Sequence, residues 1–378
     1  MSSGSIGNFS VLRQPKAAPT TKSTTTTFVH IPIAAFIDTK LAHNLILSPI
    51  TDPTLFLERP FTISGADEFN ALALDLFRLH AAKNPVYRGF LNGLKVDPSL
   101  VADVAGIPYL PIGLFRDHRV LLEGLDPSAH FTSSGTTGST TSTHHVPWPK
   151  LYERSFSTSF RAVYGDPKGW RILALLPAYL EREGSSLVYM AQQLIAASED
   201  PLSGTYLYKY AELSEVLKRS EREGKKTLLL GVTFALLDLA EQFPQALKHT
   251  VIMETGGMKG RRPEIVREEL HTILKKAFDV ATIHSEYGMT ELLSQAWSKG
   301  DGIYRCPPWM RISLRDVNDP LSSVSNGRTG GINVIDLANI ASCPFIATQD
   351  LGRCYPDGSF EVLGRFDHSD VRGCNLLV

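Results

Sequence analysis

Thr132–Thr143 reads Thr-Ser-Ser-Gly-Thr-Thr-Gly-Ser-Thr-Thr-Ser-Thr, a run of hydroxyls and glycines suited to wrapping an anion. Two glycines let the backbone approach closely, and successive N–H groups with the hydroxyls can surround phosphate oxygens. Composition alone would make this segment a flexible linker. Its position argues otherwise, because apolar sequence precedes it and a helical pattern from Lys150 follows, which puts it inside the fold. No lysine follows Gly138, so it is not the Gly-x-x-x-x-Gly-Lys-Ser/Thr loop of common nucleotide hydrolases.

Two further segments have usable chemistry. In His284-Ser285-Glu286-Tyr287-Gly288-Met289-Thr290-Glu291 an aromatic ring stands beside a glycine turn, and a carboxylate follows it. Such a ring can stack on a base and such a carboxylate can hold a magnesium ion, although Tyr plus Glu in a loop is also ordinary surface chemistry. Glu254-Thr255-Gly256-Gly257-Met258-Lys259-Gly260 directly follows a strand pattern. Its paired glycines suit either close contact with a flat ligand or a tight strand-to-helix turn.

Four cysteines occur, Cys306, Cys343, Cys354 and Cys374, with no Cys-x-x-Cys pair and no histidines at zinc spacing. A disulfide framework does not fit so long and cysteine-poor a chain, which implies a reducing compartment and four free thiols. Cys306, Cys343 and Cys354 read as small buried apolar residues. Cys374 is different: Gly373 leaves backbone freedom beside it, and Arg372 favours the thiolate that a nucleophile needs. The competing reading is an inert cysteine in a C-terminal strand.

The elements that must position these groups are legible from periodicity. A chain of 378 residues, 43% hydrophobic, is long for one domain but within the reach of a large α/β fold. Residues 1–30 are Ser-, Thr- and Pro-rich and read as a disordered tail. The tail's basic, acid-free character also resembles a transit peptide, on the slight support of Arg13, Lys16 and Lys22. Beyond it, residues 31–378 read as one domain. Helices are expected over Ala66–Ala82, Lys150–Tyr164 and Ser185–Ala197, and before Phe243. Another opens at Pro263, with Val266, Leu270, Ile273 and Leu274 on its apolar face. Strands are expected at Arg171–Leu176, Thr227–Gly231 and Thr250–Met253, which with the helices implies a mainly parallel sheet covered on both faces. After Gly330 the pattern becomes that of a smaller mixed sheet, with strands at Gly331–Leu337 and Pro344–Thr348 and a turn at Asp357-Gly358. The charges, 38 basic against 39 acidic, give no reason to propose nucleic acid or an anionic membrane as partner. No stretch approaches the roughly 20 apolar residues of a spanning helix.

Ser133–Gly138, Tyr287–Glu291, Thr348–Arg353 and Gly364–Asp367 together resemble four ordered signatures of the adenylate-forming (acyl-CoA synthetase-like) superfamily. The resemblance implies ATP and Mg²⁺ as cofactors and the large N-terminal domain of that fold. It implies phosphate contacts from Ser133, Ser134, Gly135, Thr136, Thr137 and Gly138, and nucleotide contacts from Gly256, Gly257, Tyr287, Gly288, Met289 and Thr290. Glu291 would hold magnesium, Asp350 the ribose hydroxyls, and Arg365 lies in the Gly-Arg-x-Asp hinge segment. Leu175–Tyr189, Gly256–Gln295 and Gly364–Leu377 are similar to the acyl-protein synthetases, or long-chain-fatty-acid–protein ligases, of bacterial bioluminescence. This likeness covers about Phe131 onward, and the first ~60 residues contribute nothing to it.

Most superfamily members continue past the hinge with a small domain of roughly a hundred residues, a normal size for a small domain, which carries a catalytic lysine. Val378 follows Gly364–Asp367 closely, so the expectation is a chain lacking that domain. Lys259, Arg261 or Arg365 would then substitute for the lysine. The resemblance implies a cytoplasmic acid–thiol ligase that makes acyl-AMP from a fatty or other carboxylic acid. By the same resemblance Cys374 would take the acyl group as a thioester for delivery to an acyl reductase partner. Two alternatives remain: an acyl-CoA ligase of the phenylacetate type, and a non-catalytic subunit binding acyl groups or nucleotide. Tyr179, Tyr189 and Trp297 are the bulky candidates for an acid pocket, or else plain core.

Overall fold

The computed structural model describes residues 52–133, 141–176, 184–256 and 265–366. The tail expected over residues 1–30 lies outside them. The described chain opens with helices α1 (Ala66–Lys83) and α2 (Pro85–Gly93), strand β1 (Leu110–Pro111) and a one-turn helix α3 (Leu114–Asp117). The hairpin of β2 (Ala129–Thr132) and β3 (Thr143–Val146) follows, then helix α4 (Pro149–Tyr164). Local chemistry sets these boundaries. Asn84 ends α1 and caps α2, accepting from the amides of Val86 and Tyr87 at 3.2 Å each, with Pro85 in the first helical turn.

Strand and helix then alternate as β4 (Arg171–Leu175), α5 (Ser186–Ser198), β5 (Gly204–Thr205), α6 (Tyr210–Glu223), β6 (Thr227–Gly231), α7 (Thr233–Gln242), β7 (Thr250–Glu254), α8 (Arg267–Phe278) and β8 (His284–Tyr287). Strands β5, β4, β6, β7 and β8 pair in that order, all parallel. Every residue of β4 and β6 is buried, as a parallel sheet covered on both faces requires.

The rest is antiparallel apart from β1, which pairs parallel with β13: β9 (Ala296–Ser298), β10 (Ile303–Arg305), β11 (Met310–Arg315), β12 (Thr329–Asp336), β13 (Phe345–Cys354) and β14 (Phe360–Arg365). The β8–β9 pairing joins the two halves into a single sheet of 12 strands among the described residues, running β11-β12-β13-β14-β10-β9-β8-β7-β6-β4-β5 with β1 alongside β13. The expected α/β architecture stands, and its parallel and mixed sheets are continuous. Among the described residues no helix is long and apolar enough to cross a membrane.

The helix expected from Pro263 needs correction. Pro263 lies outside the described residues, α8 begins at Arg267, and Val266 precedes it with 65% of its surface exposed. Leu270, His271, Leu274 and Phe278 make the buried face, while Ile273 points largely to solvent. The three- and four-residue spacing was right, but Val266 and Ile273 sit outside the stripe that the sheet covers.

The amino end of β4 holds a buried charge cluster. Arg171, 4% exposed, donates to Asp200 Oδ1 at 2.9 Å, to Glu223 Oε2 at 2.9 Å and to Ser220 Oγ at 2.9 Å, and Lys225 lies 3.3 Å from Asp200. Burial alone would raise the Asp200 pKa, but the Arg171 guanidinium and the Leu202 amide hold it below the usual carboxylate range. Arg171→Met should therefore lower stability by about 3 kcal/mol in denaturant unfolding, because Asp200 keeps only Lys225 as a cation partner. The double variant Arg171→Met/Asp200→Leu should recover most of that loss. Asp200's contribution is full above about pH 4, its unfolded pKa, and is lost as the pH falls through its lower folded value. The double variant should thus lose less stability in acid than the parent. Equal acid sensitivity in the two proteins would refute the assignment.

Candidate functional site

The carboxyl ends of the parallel strands carry the groups singled out in the sequence, the usual place for a ligand site in an α/β sheet. Strand β8 ends at Tyr287, whose hydroxyl donates to Asp350 Oδ2 on β13 at 2.9 Å. Burial and the adjoining Asp350 carboxylate push the Tyr287 pKa well above its ordinary value, so the phenol remains a donor. Arg365 on β14 is the register partner of Asp350 and donates from Nε to Oδ1 at 3.3 Å. Its side chain is 77% exposed.

Glu291 is 4% exposed. Burial raises its pKa, while the Ser142 hydroxyl and the Arg365 guanidinium oppose that and Asp350 reinforces it. Glu291, Asp350, Arg365 and Ser142 therefore share one electrostatic neighbourhood, although they come from four separate stretches of chain.

The β2–β3 hairpin continues one residue beyond each strand. Ser133 N donates to Ser142 O at 3.0 Å, and Ser142 N donates to Ser133 Oγ at 2.9 Å. On β3, His144 is fully buried, with Nδ1 2.8 Å from the Thr290 carbonyl and Nε2 3.1 Å from Asn339 Oδ1. Burial lowers its pKa to about 4, so the ring is neutral at pH 7 and has one N–H to give. The shorter contact assigns that hydrogen to the Thr290 carbonyl. Asn339 Nδ2 donates to the carbonyls of Glu291 at 2.8 Å and Cys343 at 3.0 Å. Asp336 anchors the following turn, accepting from Leu293 N at 2.7 Å and Ser294 Oγ at 2.6 Å.

At the end of β7, Gly256 has φ +71, a left-handed conformation that favours glycine. Its amide donates to Glu254 Oε2 at 2.7 Å, and its carbonyl accepts from Thr233 N at 3.2 Å.

The structure thus gathers Tyr287, Glu291, Asp350 and Arg365 at one place and ties Thr290 to the hairpin that bears Ser133. Gly288 and Met289 lie in the turn between Tyr287 and Thr290, and Gly256 ends the strand next to β8. Ser134, Gly135, Thr136, Thr137, Gly138, Tyr179, Gly257, Lys259, Arg261, Asp367 and Cys374 lie outside the described residues. Trp297 is core, 4% exposed and bonded through Nε1 to Ser159 Oγ at 2.6 Å. Tyr189 is half-buried, stacked on Tyr152 and donating to Glu153 Oε1 at 2.7 Å. Cys306, Cys343 and Cys354 are free thiols, and burial raises all three, Cys343 to about 12 and Cys354 to about 11. Sequence reasoning missed His144 and Asn339, and had Ser142 only as part of the hydroxyl-rich run. The position of His144 just after the hydroxyl-rich run was the one available signal.

His144→Leu should leave the Thr290 carbonyl buried without its donor and lower stability by about 1–3 kcal/mol. Amide hydrogen exchange should rise selectively in the 288–292 segment. Unchanged exchange there would mean that His144 does not hold this turn.

The acyl-protein synthetase family LuxE matches residues 38–170. The match begins well inside the first ~60 residues, which corrects the expectation that they contribute nothing. No curated protein matches the sequence. Among solved structures, 2-hydroxyisobutyryl-CoA ligase, in complex with 2-HIB-AMP and CoA, superposes with TM-score 0.59 at 13% identity, covering 85% of this chain and 73% of that one. ATP-bound MatB from Rhodopseudomonas palustris gives TM-score 0.48 at 18% identity over 65% of this chain and 49% of that one, so this chain spans about half of its length. MenE from Bacillus subtilis, an O-succinylbenzoate coenzyme A synthetase in complex with ATP and magnesium, gives TM-score 0.44 at 17% identity over 62% and 49%. At such identities a likeness speaks for the fold alone, and here the first of the three carries it. The chain has the fold of the adenylate-forming enzymes and, over residues 38–170, matches the acyl-protein synthetases.

Proposed function

We propose that this chain uses MgATP to convert a carboxylic acid, in the first place a medium or long fatty acid, into its acyl-adenylate, and that Cys374 then takes the acyl group. The observation that carries the reading is the convergence of Tyr287, Glu291, Asp350 and Arg365 at the carboxyl ends of the parallel strands. In this reading residues 31–378 are one adenylating domain and residues 1–30 a tail. The three described thiols, Cys306, Cys343 and Cys354, are held protonated by burial and are poor nucleophiles, and a reducing cytoplasm suits them.

Each group has a role that its setting fits. Asp350 presents a carboxylate fixed by Tyr287 and Arg365 and would receive the ribose hydroxyls. Ser133–Gly138 and Gly256–Gly257, with Gly288, Met289 and Thr290, would cradle the nucleotide. Glu291 is a buried oxygen donor whose ionised form a divalent cation would stabilise, which fits Mg²⁺ held by a carboxylate and substrate phosphates. The magnesium ion supplies charge neutralisation at the phosphates. A carboxylate oxygen of the acid bonds to the α-phosphorus as the bond to the bridging oxygen breaks, releasing pyrophosphate. The Cys374 thiolate, its proton lost to solvent, then bonds to the acyl carbon and displaces AMP. Lys259, Arg261 or Arg365 would supply positive charge at the transferring phosphoryl group. An acyl reductase is the proposed recipient of the thioester.

Exchange of labelled pyrophosphate into ATP that depends on an added carboxylic acid should be measurable with the pure protein and Mg²⁺. Glu291→Gln should reduce it by about 100-fold or more. Asp350→Asn, which keeps an acceptor for Tyr287, should weaken ATP binding with little change in melting temperature. No exchange across a broad panel of acids would sink the reading, and parallel loss of activity and melting temperature would make the two carboxylates structural.

Incubation with labelled fatty acid and MgATP should leave label on the protein in a bond cleaved by neutral hydroxylamine. Cys374→Ser should keep the exchange but lose this label, since a serine hydroxyl without a base is a poor nucleophile. If Cys374→Ser labels as heavily as the parent, or if coenzyme A is acylated instead, the acyl-carrier role fails while adenylation stands.

A further inference from the structure

Strand alternation sends the side chains of Tyr287 and Glu286 to opposite faces of β8. Tyr287 goes toward Asp350. Glu286 is the register partner of Trp297, whose indole bonds to Ser159 on α4, so Glu286 lies on the α4 face. A Cβ built on Gly288 would come 2.4 Å from Glu286 Oε1 and 3.4 Å from Gln295 Cγ, which puts both side chains directly against the turn leading to Glu291. Glu286 is only half-buried and makes no hydrogen bond among the described residues. Even so, burial and then the charge of Glu254 on the neighbouring strand raise its pKa to about 8. A carboxyl that retains exposed surface while being that strongly desolvated lines a recess.

Gln295 shares the recess, and its amide oxygen also lacks a partner. It is 3% exposed, and its Oε1 is buried without a hydrogen bond. Its amide orientation is set from the other side. Tyr152 donates its hydroxyl hydrogen to the Ser186 carbonyl at 3.1 Å, so it accepts from Gln295 Nε2 at 3.3 Å, and Oε1 must face away from Tyr152.

We propose that Glu286 and Gln295 form a recognition pair for a hydroxyl group carried on the acyl chain of the substrate, so that the enzyme prefers a hydroxylated carboxylic acid to the plain alkanoic acid. The inference rests on the acyl-adenylate reading above and narrows its substrate class. A protonated Glu286 offers one O–H donor, and Gln295 Oε1 offers an acceptor. A hydroxyl accepts from the first and donates to the second, leaving nothing buried and unpaired. A methylene satisfies neither. A second carboxylate would place an acceptor against Gln295 Oε1, and an ammonium group would require Glu286 to ionise beside Glu254. A site built to hydrogen-bond a hydroxyl rejects the analogue lacking it far more strongly than an apolar pocket discriminates one methylene.

Pyrophosphate exchange measured with octanoic acid and with its monohydroxylated isomers, one for each carbon from C2 to C8, tests this. With the parent protein, at least one isomer should exceed octanoic acid in kcat/KM by about 100-fold. Glu286→Leu should bring that ratio close to one, retain exchange with octanoic acid, and melt at the same or a higher temperature because an unpaired, desolvated carboxyl is gone. Glu286→Gln, which keeps a neutral donor and acceptor, should preserve most of the preference. A flat response to the series in the parent overturns the proposal whatever the variants do, and so does a preference that survives Glu286→Leu. In both of those cases exchange with octanoic acid leaves the adenylation reading intact. Silence with every acid overturns both.

Discussion

The site is held together by one side-chain amide. Asn339 has two N–H groups and one oxygen, and all three face inward: the N–H groups to the carbonyls of Glu291 and Cys343, the oxygen to His144. It stands just after β12 yet fixes the backbone at Glu291 and meets the hairpin strand β3. Without it, the Glu291 and Cys343 carbonyls would each lose their donor in a dry interior. A buried carbonyl stripped of its donor costs the full desolvation penalty of that group. The burial that keeps His144 neutral also keeps water from substituting for any missing member.

Around that seam the sheet divides its work by direction. The parallel half, β4 through β8, points the carboxyl ends of its strands the same way. The antiparallel half brings β13 and β14 back beside β8, so that Asp350 and Arg365 arrive as register partners within reach of Tyr287. The join at β8–β9 is therefore where a residue of the parallel layer can meet residues from a hairpin much later in the chain. Alternation along β8 then gives the same few residues two faces, one toward Asp350 and one toward α4.

Much of this was readable beforehand, and the division follows interaction range. Strands such as Thr227–Gly231 and the helix Ala66–Lys83 are set by local periodicity and by burial on known faces, so their limits came out within a residue or so. Tyr287, Glu291 and Asp350 were recognisable because their segments have distinctive composition. Asn339 was not, because an asparagine after an apolar strand has no signature, and its partner His144 is 195 residues away. Glu286 was overlooked for a related reason: its meaning depends on which face of β8 it occupies and on what fails to pair with it there. The continuity of the two sheet halves was likewise invisible, since it rests on the short strands β9 and β10, which carry too few residues to show a period.

The reciprocal bonds between Ser133 and Ser142 have a thermodynamic consequence for anything that binds the stretch between them. Bringing the ends of a loop of about ten residues together costs on the order of 2 kcal/mol in chain entropy. The β2–β3 register meets that cost during folding, in the Thr132–Thr143 pair and the serine contacts just beyond it. A ligand arriving at this loop meets ends already held in register. Lengthening the loop by a few residues would therefore disturb affinity gently, whereas slipping the hairpin by a single residue would turn His144 outward and release the Glu291 turn along with it.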